Sequence, residues 1–272
     1  MEQTRLKRLL LTATVALLVA TAGCSGLAGG NGTNDGNGDG ANGSGYDVSG
    51  ADLDGQTLTD ATSDTVESAG SFTVETASTF TSSQNGQEQT SVSESTLRVT
   101  LDDDRGIRNQ TQTIDTGDGT QEQSTVVYTD GTTSYRKQTT QGDTTYDQQE
   151  GNPQSFGGIQ PVNTSDFTQN YTGIVDGFAW EQSGSSEVDG VAVTEYSLTG
   201  EPDKDALNLG ENATIENASG TLYVDGDGAV RQADIAYTVT TEQGTMSIDA
   251  TMMLSNVGST TVEEPGWLSE VA

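Results

Sequence analysis

Hydrophobic and polar positions divide the chain into three unlike stretches. Leu9 to Ala22 is an apolar stretch of 14 residues, without a charge, behind Arg5, Lys7 and Arg8. Residues 25–50 have no apolar periodicity and are almost wholly Gly, Asn, Asp and Ser. From residue 51 onward, patterned segments follow one another to the C-terminus. The first is helical: Leu58, Ala61, Thr62, Thr65, Val66 and Ala69 recur at helical spacing, which predicts a helix over Gln56 to Ala69 stopped by Gly70. Thereafter the period is two. Phe72 and Val74, Leu97 to Leu101, Ile235 to Val239, and Met246, Ile248, Ala250, Met252 and Leu254 each alternate with polar neighbours. This pattern describes strands with one buried and one wet face, hence an antiparallel sheet.

Turn chemistry separates these strands. Asp102-Asp103-Asp104-Arg105-Gly106, Thr129-Asp130-Gly131-Thr132, Val188-Asp189-Gly190 and Val224-Asp225-Gly226-Asp227-Gly228 lie between β-rich runs, and Asp-Gly favours tight hairpins. Two interruptions read as helical or irregular. Ser165 to Val175 has Ser165 in a capping position, and Pro202 to Leu209 begins with proline and ends before Gly210. The expected class is mainly β (α+β): a curved antiparallel sheet, or half-barrel, around one N-terminal helix and one or two short helices. Residues 51–272 form this single domain.

The apolar run of 14 residues is too short to span a bilayer, which takes about 20. With its basic flank it reads as an export signal over residues 1–23. Thr21-Ala22-Gly23-Cys24 then resembles the lipobox of prokaryotic lipoproteins. In that family the cysteine sulfur is lipidated, cleavage precedes the cysteine, and Cys24 becomes the mature N-terminus. Thr21 departs from the leucine usual there. A secreted protein with a cysteine near its cleavage site by chance is the alternative. Lys7-Arg8 is not an Arg-Arg pair, so the export machinery stays open. Residues 24–50 are the lipidated cysteine and a flexible tether with a span of about 25–30 Å. The resemblance implies a protein held by the lipid on Cys24 to the extracellular face of the cell membrane.

Composition narrows the chemistry. The chain of 272 residues has 41 acidic and 10 basic side chains, no histidine and one cysteine. A net charge of −31 argues against nucleic acid, whose recognition needs Lys and Arg. The absence of histidine excludes a Ser/His/Asp triad and imidazole ligation. Leu, Ile, Val and Phe total 49 residues, a small core for so large a charge unless concentrated salt screens the carboxylates. An acidic, lysine-poor surface of this kind suits an extreme halophile.

Candidate chemistry is sparse. Asp225-Gly226-Asp227-Gly228 and Asp102-Asp103-Asp104 lack the remaining ligands of a calcium loop, and paired carboxylates in so acidic a chain discriminate nothing. No metal site, cofactor or catalytic residue is assigned, and a non-enzyme is expected; a hydrolase that works without histidine ranks last among the alternatives. Glycosylation sequons occur at Asn31, Asn42, Asn109, Asn163, Asn170, Asn212 and Asn217.

The helix before Ser71-Phe72-Thr73-Val74-Glu75, the strand and turn Val126-Val127-Tyr128-Thr129-Asp130-Gly131, and Gly220-Thr221-Leu222-Tyr223-Val224-Asp225 together resemble the LolA/LppX-type half-barrel lipoproteins. Similar strings occur in haloarchaeal lipoproteins. The resemblance implies a cavity for an apolar ligand or a lipidated partner protein, lined here by Met246, Ile248, Met252, Leu254 and Trp180. Met/Ile alternation is more often plain core, and Trp180 and Trp267 likewise read first as core anchors and second as ligand walls. Thr/Ser-rich stretches at Gln110 to Thr116 and Gln138 to Thr145 leave two readings open: an open lipid pocket, or a half-barrel filled by its own side chains and working through its convex face. Oligomeric state is not legible.

Overall fold

The computed structural model describes residues 53–84, 86–150, 175–200, 202–204, 207, 209 and 212–271. The export signal, Cys24, the tether, Asn31, Asn42, Asn163, Asn170 and the helix expected over Ser165 to Val175 lie outside these residues, except for Val175 itself. Helix α1 (Gly55–Ala69) opens the described fold. Asp54 caps it by accepting the Thr57 N–H at 2.7 Å, and Gly70 closes it in the left-handed region at φ 71°. Leu58, Ala61, Thr62 and Val66 are buried, which is the face the spacing predicts.

Eleven strands follow: β1 (Ser71–Gln84), β2 (Gln87–Thr100), β3 (Arg105–Asp115), β4 (Thr120–Thr129), β5 (Thr133–Thr140), β6 (Asp143–Glu150), β7 (Ala179–Val188), β8 (Val191–Thr199), β9 (Thr214–Asp225), β10 (Val230–Thr241) and β11 (Gly244–Ser255). They form one antiparallel sheet in the order β6-β5-β4-β3-β2-β1-β11-β10-β9-β8-β7. The first and last members are not paired, so the sheet is an open, curved half-barrel. Only the β1–β11 junction joins strands distant in sequence; every other neighbour is a hairpin partner or, across β8–β9, the next strand in the chain.

Hairpin chemistry explains this meander. At Asp189-Gly190 both residues have positive φ, 49° and 78°, the requirement of a tight turn matched to strand twist. Gln141 and Gly142 repeat it at 53° and 93°. The Thr/Ser-rich stretch Gln138 to Thr145 is therefore the β5–β6 hairpin. The expected Pro202 to Leu209 helix is reduced, among the described residues, to a turn in which the Leu207 N–H donates to the Asp203 carbonyl at 3.1 Å. A 3₁₀ helix over Gly266–Glu270 had no sequence signal.

One face of the sheet, here the inner face, receives α1. Phe72, Val74, Val99, Trp180, Leu222, Val224, Val230, Ile235 and Leu254 pack with Leu58 and Val66 into a single core. Leu222, Val224, Val230 and Leu254 are fully excluded from solvent. The opposite, outer face is crossed by the C-terminal tail, whose Thr260 hydroxyl bonds that of Thr73 at 2.8 Å. Trp267 in that tail lies against Tyr146 with ring centroids 6.0 Å apart, and is half-buried rather than the core anchor expected.

Candidate functional site

Register assigns every strand residue to a face, because directly paired residues share one. Along β11, Leu254, Met252, Ala250, Ile248 and Met246 all point inward, opposite Val74, Thr76, Ser78, Phe80 and Ser82 of β1. On the other side they meet Ala233, Ile235, Tyr237 and Val239 of β10. The strip thus begins in the core and runs away from α1. Solvent access changes along it. Leu254 is at 0% exposure, whereas Met252, Ile248 and Met246 are half-buried, as are Phe80 and Tyr237.

The five proposed lining residues therefore separate into two groups. Met246, Ile248 and Met252 share a half-open apolar strip on the inner face. Leu254 and Trp180 are core: Trp180, 5% exposed, donates its indole N–H to the Val175 carbonyl at 3.1 Å and packs edge-on to Phe178. Phe178 in turn lies 5.8 Å from the Tyr237 ring, so the aromatic cluster walls one side of the strip. Burial pushes the Tyr237 phenol above its ordinary value of 10.0, which keeps it neutral beside the apolar groups. Phe80 and Tyr237 were not assigned to the lining from sequence. The signal for Phe80 was weak, since Thr76 and Ser78 interrupt its alternation with Phe72 and Val74.

Across β1 the character of the inner face reverses. Ser91, Ser93 and Ser95 on β2 pair with Ile114, Gln112 and Gln110 on β3, with the Gln112 amide donating to the Ser91 hydroxyl at 3.2 Å. Gln123, Thr125 and Gln138 continue this polar surface over β4 and β5. Beyond the core residues Val99, Leu97 and Val127, the inner face is consequently amphipathic, mainly apolar on β9–β11 and mainly polar on β2–β5. Grooves formed by described residues on the outer face are of another kind. One of about 580 Å³ lies beneath the C-terminal tail, and another of about 420 Å³ is walled by Glu75, Glu94, Thr96 and Asn109.

Asp225, singled out as a calcium candidate, has other partners. Its carboxylate bonds Arg231 at 2.7 Å and accepts the N–H groups of Asp227 and Ala229 at 3.0 and 2.9 Å, so it organises its own hairpin. Among the described residues no group of three or more acidic or cysteine side chains is placed to hold a metal. No described helix is long and apolar enough to cross a membrane. Of the described sequons, Asn212 and Asn217 are exposed, while Asn109 is half-buried in mid-sheet.

A family of unknown function (DUF7537) matches residues 9–271. No curated protein matches the chain. Among solved structures, LprF from Mycobacterium bovis is similar at 17% identity and a TM-score of 0.40, the match covering 80% of this chain and 99% of that one. The lipoprotein LppX of Mycobacterium tuberculosis is similar at 13% identity and a TM-score of 0.34, covering 76% of this chain and 94% of that one.

Proposed function

We propose that this chain, which belongs to the DUF7537 family, is a lipid-anchored cell-surface protein that binds or carries an apolar ligand on the inner face of its half-barrel. The observation that supports the reading is the continuity of the strip. Met252, Ile248 and Met246 extend a dry core outward into half-open positions without a polar break along β11. A surface of this kind suits an acyl chain: methionine adapts to an irregular apolar partner, and each methylene covered contributes about 0.8 kcal/mol. The lipid on Cys24 would hold the domain to the outer side of the membrane, and the tether would give it reach. Nothing in this role asks for catalysis, and we read the protein as a non-enzyme.

A second reading has an observation of its own. The end of the inner face beneath α1 is filled by Leu58, Val66, Leu222 and Leu254, all at 0 or 1% exposure. If the filling extends over the rest of the inner face, the protein works through surface interactions with other proteins. Titration with a fluorescent fatty-acid analogue separates the two. Binding that Ile248→Glu abolishes, in a variant that remains folded, supports the carrier; no uptake by the unaltered chain supports the filled half-barrel.

A further inference from the structure

One side chain interrupts the apolar strip. On the inner face of β10 from Ala233 to Val239 and of β11 from Met246 to Leu254, Tyr237 alone carries a hydroxyl; the other inward side chains there are aliphatic or methionine. Tyr237 pairs with Ile248, and Ile248 pairs with Phe80, so the phenol lies in a central row of the strip. Phe178, 6% exposed, packs against its ring with 5.8 Å between centroids. The hydroxyls of Thr76, Ser78 and Ser82 across the strip are on β1, two strands or about 10 Å from β10.

The backbone singles out the same residue. On β9 two residues, Asn217 and Ala218, stand opposite Tyr237 alone, between the pairs Ser219–Ala236 and Glu216–Thr238, and Asn217 has a φ of 54°. Such a bulge bends the strand, re-aims the side chain beside it and is common next to functional sites. Among the described residues the Tyr237 hydroxyl has no hydrogen-bond partner, and burial is the one cause that raises its pKa: no charge and no hydrogen bond acts on it. The residue is half-buried, yet its oxygen stays within reach of solvent. Water satisfies such a group in the free protein. A plain hydrocarbon laid on the strip would remove that water and strand a polar group among Met246, Ile248 and Ala250, which is unfavourable.

We infer that Tyr237 is a specificity-determining residue of the strip, donating its hydroxyl to an uncharged carbonyl oxygen on an otherwise apolar ligand. This rests on the proposed function and specifies its ligand class. The acceptor is uncharged because the inward neighbours of Tyr237 on β10 and β11, Ile235, Val239, Met246, Ile248 and Ala250, supply no counter-charge, and an anion seated among them would be desolvated without one. Register also sets the depth of the ligand. Ile248 is two residues from Met246 and four from Met252, about 7 and 14 Å along β11. A carbonyl at Tyr237 thus puts the longer arm of the ligand toward the core and the shorter arm toward the β10–β11 turn, where Glu242 and Gln243 are exposed.

The full mature chain is titrated in molar KCl with two pyrene-labelled probes of equal length, a fatty-acid methyl ester and an alkane. The ester is expected to bind about tenfold more tightly, the difference made by a hydroxyl that is bonded rather than stranded. Tyr237→Phe keeps the ring against Phe178 and removes the hydroxyl; it abolishes the preference, chiefly by binding the alkane more tightly. Tyr223→Phe, on the outer face, keeps the preference. The infrared carbonyl band of the ester bound to the unaltered chain reads the bond without any variant, and is expected at lower frequency than that of the same ester in hexane. Equal affinity of the unaltered chain for the two probes, a carbonyl band at the hexane frequency, or a preference that survives in Tyr237→Phe overturns the inference while leaving the carrier reading intact. Binding of neither probe overturns both.

Discussion

The Thr62 hydroxyl joins residues 168 positions apart: it accepts the Val230 N–H at 3.0 Å while donating to the Leu58 carbonyl at 2.6 Å. Both Thr62 and Val230 are at 0% exposure, so this bond fixes α1 on the inner face at the β9–β10 hairpin. Thr62→Val keeps the shape and strands a buried N–H, which costs about 1–3 kcal/mol. Thr62→Ser retains the bond and costs less. Denaturant unfolding of the two variants in concentrated salt checks the order; equal stability would remove the bond from the account.

Asp225 and Arg231 form the buried ion pair of the same hairpin, at 3% and 11% side-chain exposure. Asp225→Ala leaves a guanidinium without its carboxylate and frees two loop N–H groups, a loss of about 3–5 kcal/mol. Arg231→Met is milder, because the N–H groups of Asp227 and Ala229 still bond the carboxylate. Thermal unfolding of both variants tests this ranking.

Gly220 makes room for Trp180. A Cβ at residue 220 would lie 2.8 Å from the Asp234 carbonyl oxygen and 3.3 Å from the indole, and backbone cannot yield as a side chain can. Gly220→Ala is expected to lower stability by about 1–3 kcal/mol and to shift tryptophan fluorescence as Trp180 moves. Unchanged fluorescence and stability would show that the site relaxes freely.

Much of this architecture was legible in the chain. Helical spacing in α1 and the Asp-Gly signals at residues 189–190 and 225–228 predict local structure because backbone sterics decide it. The β5–β6 hairpin escaped because Thr139, Thr140, Thr144 and Thr145 give no alternation to interrupt. The polar inner half escaped for a related reason. Ser91, Gln110 and Gln123 look like wet-face residues one strand at a time, and only register places them beside the apolar strip. Trp267 misled because large aromatic residues usually mark cores, whereas this one packs a tail onto the outer face.

Asp54 gives the helix a pH dependence. The Thr57 hydroxyl and N–H both donate to its carboxylate and hold it below its ordinary value of 3.8. A depressed folded value means that the cap stabilises above about pH 3.8 and is lost as pH falls through the folded value. Asp54→Asn retains an acceptor that does not titrate there. Acid titration by far-UV circular dichroism should show the unaltered chain losing stability relative to Asp54→Asn below pH 3.8; parallel curves would contradict the cap's role.

The central claim is that the inner face holds an apolar ligand, and native mass spectrometry of the mature chain from its own host, followed by lipid extraction, tests it most directly. A stoichiometric co-purifying lipid, displaced in Ile248→Glu, is the predicted result. A lipid-free protein that also takes up no apolar probe would contradict it and place the function on the outer surface.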